Sequence, residues 1–183
     1  YQTIWDGGGV DIISAFNQTQ GCVINLNSGQ GSEIGVAFNN GQSSVRDCLT
    51  IAYGAVIENA VGSDHDDWLI GNGIDNVLDG GAGSDLLAGG AGNDTYRVDR
   101  SSDQVREYSG GGEDTVIAAA SYTLGRAVEN LVLTGAGALW GTGNGLDNRL
   151  TGNSGDNRLD GGGGSDRMAG GAARLTLTRD GRA

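Results

Sequence analysis

Acidic and amide side chains recur in this sequence at intervals of nine. Each follows a glycine-rich run and stands two residues ahead of an apolar side chain. Read in nines, residues 62–97 give GSDHDDWLI, GNGIDNVLD, GGAGSDLLA and GGAGNDTYR, and residues 143–169 give GNGLDNRLT, GNSGDNRLD and GGGGSDRMA. The sixth position is Asp67, Asn76, Asp85, Asp94, Asn148, Asn157 and Asp166. The eighth is Leu69, Leu78, Leu87, Tyr96, Leu150, Leu159 and Met168. Carboxylates held at one spacing beside glycine turns, with only His65 among them and no cysteine, form an oxygen donor set. That set suits a hard cation and disfavours zinc.

The split within each nine says which elements must position these groups. Six residues rich in glycine make a turn, and three residues with a central apolar side chain make a short strand. One such strand cannot bury its apolar face alone, whereas stacked copies build a continuous core. The expected fold is all-β: a parallel β-roll, a right-handed solenoid of short strands joined by glycine-rich turns. Successive turns fall on opposite edges, so each turn stacks on the next but one. Asp67 then meets Asp85, Asn76 meets Asp94, and Asn148 meets Asp166. Stacked carboxylates repel unless a cation lies between them, and calcium accepts six to eight oxygens at about 2.3–2.6 Å.

The candidate calcium ligands in the first array are Gly62, Asp64, Asp67, Gly71, Asp75, Asn76, Gly80, Gly81, Gly83, Asp85, Gly89, Gly90, Gly92 and Asp94. In the second they are Asp147, Asp156, Gly161, Gly162, Gly164 and Asp166. Asp67 with Asp85 is the expected best site, with Asp64 and Asp66 adding charge. Turns of the form GNxxDN, and GNSGDN at 152–157, offer an ion-free alternative in which asparagine side chains close the turn. Asp6 and Asp11 flank Gly7-Gly8-Gly9, and Asp114 follows Gly110-Gly111-Gly112; each resembles a degenerate repeat, with a plain glycine turn as the alternative.

Composition agrees with many tight turns: 36 glycines and no proline in 183 residues. Collagen is excluded, since no G-X-Y period exists. The formal charge of −12 argues against nucleic acid as a partner, because phosphate binding needs basic patches. No apolar run approaches the roughly 18–20 residues that span a bilayer. The chain opens directly in a strand-like segment, Thr3-Ile4-Trp5, as a piece of a longer protein would. Cys22 and Cys48 permit one disulfide, closing a loop of about 26 residues worth about 3 kcal/mol, or else two buried thiols.

The nonapeptides resemble the RTX calcium-binding repeats, whose pattern is G-G-x-G-x-D-x-U-x; GGAGSDLLA and GGAGNDTYR match every defined position. Residues 1–97, through TIWDGGGVDIIS, VINLN and TIAYGAVIENAVG, resemble the C-terminal domain of the serralysin zinc metalloproteases. The resemblance implies several bound Ca²⁺ ions and a secreted, extracellular, monomeric module exported by type I secretion machinery. It also implies an N-terminal catalytic or effector domain as partner. The expected units are 1–61, a serralysin-like segment; 62–97, the first array; 98–142, spacer strands; 143–172, the second array; and 173–183, an irregular tail. Within the spacer, strands are expected around Val105 and over 114–120, 121–124 and 130–134.

No catalytic constellation is visible. HExxH is absent, His65 is the single histidine and is expected to be an exposed turn residue, and neither a G-x-S-x-G elbow nor a phosphate loop occurs. Rival readings are the roll of another secreted enzyme, such as a lipase or epimerase, and a polysaccharide-binding or adhesion module. The last would use Trp68 and Trp140, which are expected instead to pack in the core or spacer.

Overall fold

The computed structural model describes residues 2–34, 38–39, 44–45, 48–171 and 174–178. Among them every regular element is a strand. Ahead of the first array lie β1 (Gln2–Ile4), β2 (Ile12–Ser14), β3 (Val23–Asn25), β4 (Gly31–Glu33), β5 (Phe38–Asn39), β6 (Ser44–Val45), β7 (Cys48–Ile51) and β8 (Asn59–Val61). The array supplies β9 (Trp68–Ile70), β10 (Val77–Asp79), β11 (Leu86–Ala88) and β12 (Thr95–Val98). The spacer adds β13 (Gln104–Val105), β14 (Thr115–Ala118), β15 (Tyr122–Thr123), β16 (Asn130–Leu133) and β17 (Trp140–Thr142). The chain continues through β18 (Arg149–Thr151), β19 (Asn157–Asp160), β20 (Arg167–Ala169) and β21 (Leu175–Thr178).

These strands wind into a parallel β-solenoid. One face is an eight-stranded sheet in the order β2-β8-β10-β12-β14-β16-β18-β20. The other face carries β3-β9-β11-β13, and beyond it β15-β17-β19-β21. Register follows the sequence period: Leu69 pairs with Leu87, and Leu78 with both Ala60 and Tyr96. The break between β13 and β15 is bridged by one side chain. The Tyr122 hydroxyl accepts the Val105 N–H at 3.3 Å and donates to the Asp103 carbonyl at 3.1 Å.

The core is a double column running the length of the coil. Leu69, Leu87 and Leu159 point in from one face, and Leu78, Tyr96, Val116, Leu131 and Leu150 from the other, all fully buried. Each Leu burial contributes roughly 2 kcal/mol, so the columns supply the driving force while the turns set the spacing. That spacing depends on glycine. A Cβ on Gly81 (φ +83°) would lie 2.2 Å from the Ser63 carbonyl oxygen, and one on Gly83 (φ +134°) would lie 2.5 Å from that of His65. Turns stack backbone on backbone, and no side chain fits between them.

Ahead of the roll the pairing is mixed: β4 pairs antiparallel with both β3 and β7, while β1 runs parallel to β7. The segment between β3 and β8 carries no nonapeptide, so nothing forces a coil there. One expectation needs correction: within the tail expected to be irregular, Leu175–Thr178 form β21, which pairs in parallel with β19 and places Leu177 opposite Leu159. Alternating Leu and Thr lets it take the next rung, and Leu177 remains 52% exposed at the end of the stack.

Candidate calcium sites

Sixth-position side chains form two hydrogen-bonded ladders, one along each edge of the roll. On the edge preceding β9 and β11, Cys22 N–H donates to Asp67 Oδ1 at 2.6 Å, Asp67 N–H to Asp85 Oδ1 at 2.9 Å, and Asp85 N–H to Asp103 Oδ1 at 3.2 Å. On the opposite edge, Asn76 N–H donates to Asp94 Oδ1 at 2.8 Å and Asp94 N–H to Asp114 Oδ1 at 2.9 Å. Asp114 N–H then donates to Glu129 Oε2 at 2.8 Å, and further along Asn148 N–H donates to Asp166 Oδ1 at 2.9 Å. One carboxylate oxygen per residue is thereby spent on the turn below.

The second oxygen is what matters for a metal. Oδ2 of Asp11, Asp85, Asp94, Asp114 and Asp166 is buried without a hydrogen-bond partner. An unpaired buried carboxylate oxygen costs several kcal/mol when ionised, so each favours losing its charge or gaining a cation. Burial pushes Asp85 up to about 7, with Asp103, Asp67 and Asp99 adding repulsion against the Asp67 N–H bond. Asp94 likewise rises to about 7, and Asp114 to about 6, again mainly through burial. Asp11 is raised by burial and by Asp6. Oxygen donors, negative charge and orphaned lone pairs fit calcium and offer nothing soft for zinc.

Asparagine turns close differently. Asn144 Nδ2 donates to the carbonyls of Gly125 and Val128, and Asn148 Nδ2 to those of Val128 and Glu129, all within 3.1 Å. Asn153 Nδ2 donates to Thr134 and Gly137 carbonyls, and Asn76 Nδ2 to the Glu58 carbonyl at 2.8 Å. An amide thus supplies the hydrogens that a carboxylate lacks, so the turns at Asn76 and Asn148 close on the chain's own atoms, whereas Asn157 Oδ1 stays buried without a partner.

Several sequence candidates take other positions. Both oxygens of Asp67 are occupied, by Ser63 and Cys22, because Ser63 replaces the second glycine. Asp85 is therefore the open member of the pair expected to be best. Asp64, Asp75, Asp147 and Asp156 are exposed. The last three stand in an outer row with Asp66, where each accepts the N–H of the residue 18 further on: Ser84, Asn93, Ser165 and Arg174. Gly62, Gly71, Gly80, Gly81, Gly83, Gly89, Gly90, Gly92, Gly161, Gly162 and Gly164 line the stacked turns, where a Cβ would meet carbonyl or carboxylate oxygen. Asp6 Oδ1 accepts the Gly8 N–H, and Asp11 N–H donates to Glu58. His65 is exposed. Trp68 and Trp140 face outward, contrary to expectation, because Leu69 and Gly141 take the inward positions between their neighbours. The Cys22–Cys48 pairing involves a side chain outside the described residues.

Sequence reading missed Asp103, Glu107, Glu58 and Glu129. Asp103 is buried and caps a turn without glycine, its Oδ2 accepting Asp99 and Arg100 N–H. The signal available was its place two residues before the apolar Val105. Glu58 and Glu129 each open a Glu-Asn pair at a strand start and serve as longer rungs.

Comparison with known proteins agrees with this geometry. The RTX calcium-binding nonapeptide repeat matches residues 61–96 and 142–173, with four copies. Metalloprotease AprA of Pseudomonas entomophila (strain L48) is 39% identical over 72 residues, covering 39% of this chain and 13% of that protein. Serralysin of Photorhabdus laumondii subsp. laumondii is 40% identical over 70 residues, 38% of this chain and 13% of the other. Serralysin B of Dickeya chrysanthemi is 39% identical over 68 residues, with 37% and 12% covered. The match thus spans about an eighth of each relative. This chain carries RTX repeats, a family that binds calcium ions, and is homologous to the repeat region of serralysins.

Proposed function

We propose that this chain is a calcium-triggered folding module of a secreted protein, the non-catalytic C-terminal part of a serralysin-like zinc metalloprotease. The observation that carries the reading is the set of buried, unpartnered Oδ2 atoms at Asp85, Asp94, Asp114 and Asp166. Where calcium is scarce, those carboxylates oppose folding and the acidic chain stays extended and exportable. Outside the cell, calcium bound with a Kd on the order of 10⁻⁴–10⁻³ M converts binding energy into folding energy. The rigid roll then supports its neighbouring catalytic domain. The single histidine, His65, is too few for an HExxH zinc site, which leaves proteolysis to that neighbour.

Circular dichroism during a calcium titration tests this reading, with magnesium as control. Cooperative gain of β-signal near millimolar calcium is expected. The same β-signal in excess chelator would end it.

A second reading, polysaccharide binding, draws on Trp140, which is 67% exposed. With Thr142, Arg158 and Asp160 it borders a shallow depression of about 190 Å³ on the outer sheet face. Aromatic stacking beside charged hydrogen-bonding groups suits a sugar ring. A glycan-array screen of the calcium-loaded chain, read against Trp140→Ala, separates this from a purely supporting role.

A further inference from the structure

We propose that Asn72 and Asn144 are deamidation sites, which the folded roll shields and the unfolded chain exposes. Three turns of the roll are closed by the same asparagine clasp. Asn72 Nδ2 donates to the Leu26 and Ile57 carbonyls at 3.4 and 2.9 Å, and its Oδ1 accepts the Ile74 N–H and the Asn76 amide. Asn144 Nδ2 donates to the Gly125 and Val128 carbonyls at 2.7 and 2.8 Å, and its Oδ1 accepts the Leu146 N–H. Asn153 repeats the arrangement with the Thr134 and Gly137 carbonyls and the Gly155 N–H. The residue that follows differs: Gly73 and Gly145 in the first two, Ser154 in the third. The fold requires neither glycine. Neither has a left-handed φ, both are exposed, and a Cβ on either would meet nothing within 4 Å. What the glycines change is reactivity, because a backbone nitrogen with no Cβ beside it can reach the preceding carboxamide.

The Gly73 or Gly145 nitrogen attacks the Cγ of the asparagine before it and gives up its proton. The new C–N bond closes a succinimide ring, and the Cγ–Nδ2 bond breaks to release ammonia. Water then opens the ring at either carbonyl, leaving aspartate or isoaspartate. Isoaspartate routes the main chain through the side chain and lengthens it by one methylene. In the folded roll the carboxamide is tied at both ends, its nitrogen by two carbonyls and its oxygen by the N–H two residues on. Its carbon therefore cannot turn toward the glycine nitrogen. Unfolding frees it, and the product folds back poorly. A carboxylate at position 144 meets the Gly125 and Val128 carbonyls with no hydrogen to offer, so acceptor faces acceptor. A lengthened main chain also breaks the stacking of turn on turn. Time spent unfolded is thus recorded in the chain. The chemistry stands on the clasps alone; that calcium sets this time rests on the function proposed above.

The test incubates the unaltered chain at one mildly alkaline pH in calcium, in excess chelator, and in calcium with denaturant. Peptide mass spectrometry then measures aspartate and isoaspartate formed at Asn72, Asn144 and Asn153. In denaturant, Asn72 and Asn144 should convert at least about tenfold faster than Asn153, and at least about tenfold faster than in the folded, calcium-loaded chain. Gly145→Ala should give the same circular dichroism and slow Asn144 to the pace of Asn153. Equal rates at Asn144 and Asn153 in denaturant would overturn the sites. Asn144→Asp, which carries the product's carboxylate, should unfold at lower denaturant than the unaltered chain; equal stability would overturn the barrier to refolding. A chain that is folded and protected in chelator as in calcium would sink the calcium-triggered reading and leave the sites standing. A calcium-loaded chain, folded by circular dichroism, that converts as fast as the denatured one would sink the shielding and leave the calcium reading standing.

Discussion

The turns that end in aspartate and those that end in asparagine share a backbone and differ by one atom. Around 80–94, Asp85 and Asp94 donate nothing, and each leaves an oxygen buried and unsatisfied. Around 143–148, Asn144 and Asn148 send their amide hydrogens into three carbonyls of the turn below, those of Gly125, Val128 and Glu129. On the function proposed above, the first kind of turn is to be completed by an ion and the second from within, so one solenoid would combine segments that depend on calcium with segments that do not. The sixth-position residue sets this together with its neighbours: Ser63 and Cys22 satisfy Asp67, and Asn157 keeps an orphaned oxygen.

The largest effect should come from crowding the first glycine of a turn, a place as tight at Gly71, Gly143 and Gly152 in the Asn turns as at Gly89 in an Asp turn. Gly89→Ala places its Cβ against Asp94 Oδ2 and Tyr96 Oη. We expect a loss above about 3 kcal/mol, read as a raised calcium midpoint in circular dichroism. Gly145→Ala in an Asn turn, where a Cβ meets nothing within 4 Å, should leave that midpoint in place. A comparable loss from Gly145→Ala would show that the cost does not come from the Cβ clash.

Next comes the amide closure itself. Asn148→Ala removes the Nδ2 bonds to Val128 and Glu129 and the acceptor for the Asn144 N–H. About 2–3 kcal/mol should be lost, and it should be lost equally in low and high calcium. Denaturant unfolding at the two concentrations checks this. A loss that calcium repairs would mean the Asn turns also rely on the ion.

Acidity should act on the Asp turns alone. Asp85 and Asp94 have folded values near 7 and Asp114 near 6, each raised mainly by burial. A raised carboxyl binds its proton more tightly when folded, so its contribution is complete below the unfolded value near 4. It is lost as pH climbs toward 7. In excess chelator, β-structure should therefore grow as pH falls from 8 toward 5, with hydrogen-exchange protection gained over 80–114. Protection that instead falls with acidification would break the assignment.

The smallest effect belongs to the outer row. Asp147→Asn keeps an oxygen for the Ser165 N–H at an exposed position and should cost less than about 0.5 kcal/mol. A shift in calcium affinity beyond twofold would place Asp147 among the ligands after all.

Much of this was legible in the residues. The nine-residue period gave the short strands at 68–70, 77–79 and 86–88, the inward Leu column and the stacking of alternate turns. It also anticipated that asparagine turns could close on their own hydrogen bonds. Spacer strands near Val105 and Asn130 followed from apolar alternation. What failed were positions where a neighbour changed the chemistry. Ser63 occupies the oxygens of Asp67, and Glu107 fills a glycine place beyond the last repeat.

The sequence by itself determined the period, the fold and the identity of most oxygen donors, because a short-range pattern of glycine, acid and apolar residue recurs in two arrays, 62–97 and 143–172. Only the tertiary structure decided which of those oxygens are left unsatisfied. That depends on atoms 15 to 20 residues away along the chain, brought beside each rung by the coil, and hydrogen-bond partners at that range leave no mark in local spacing.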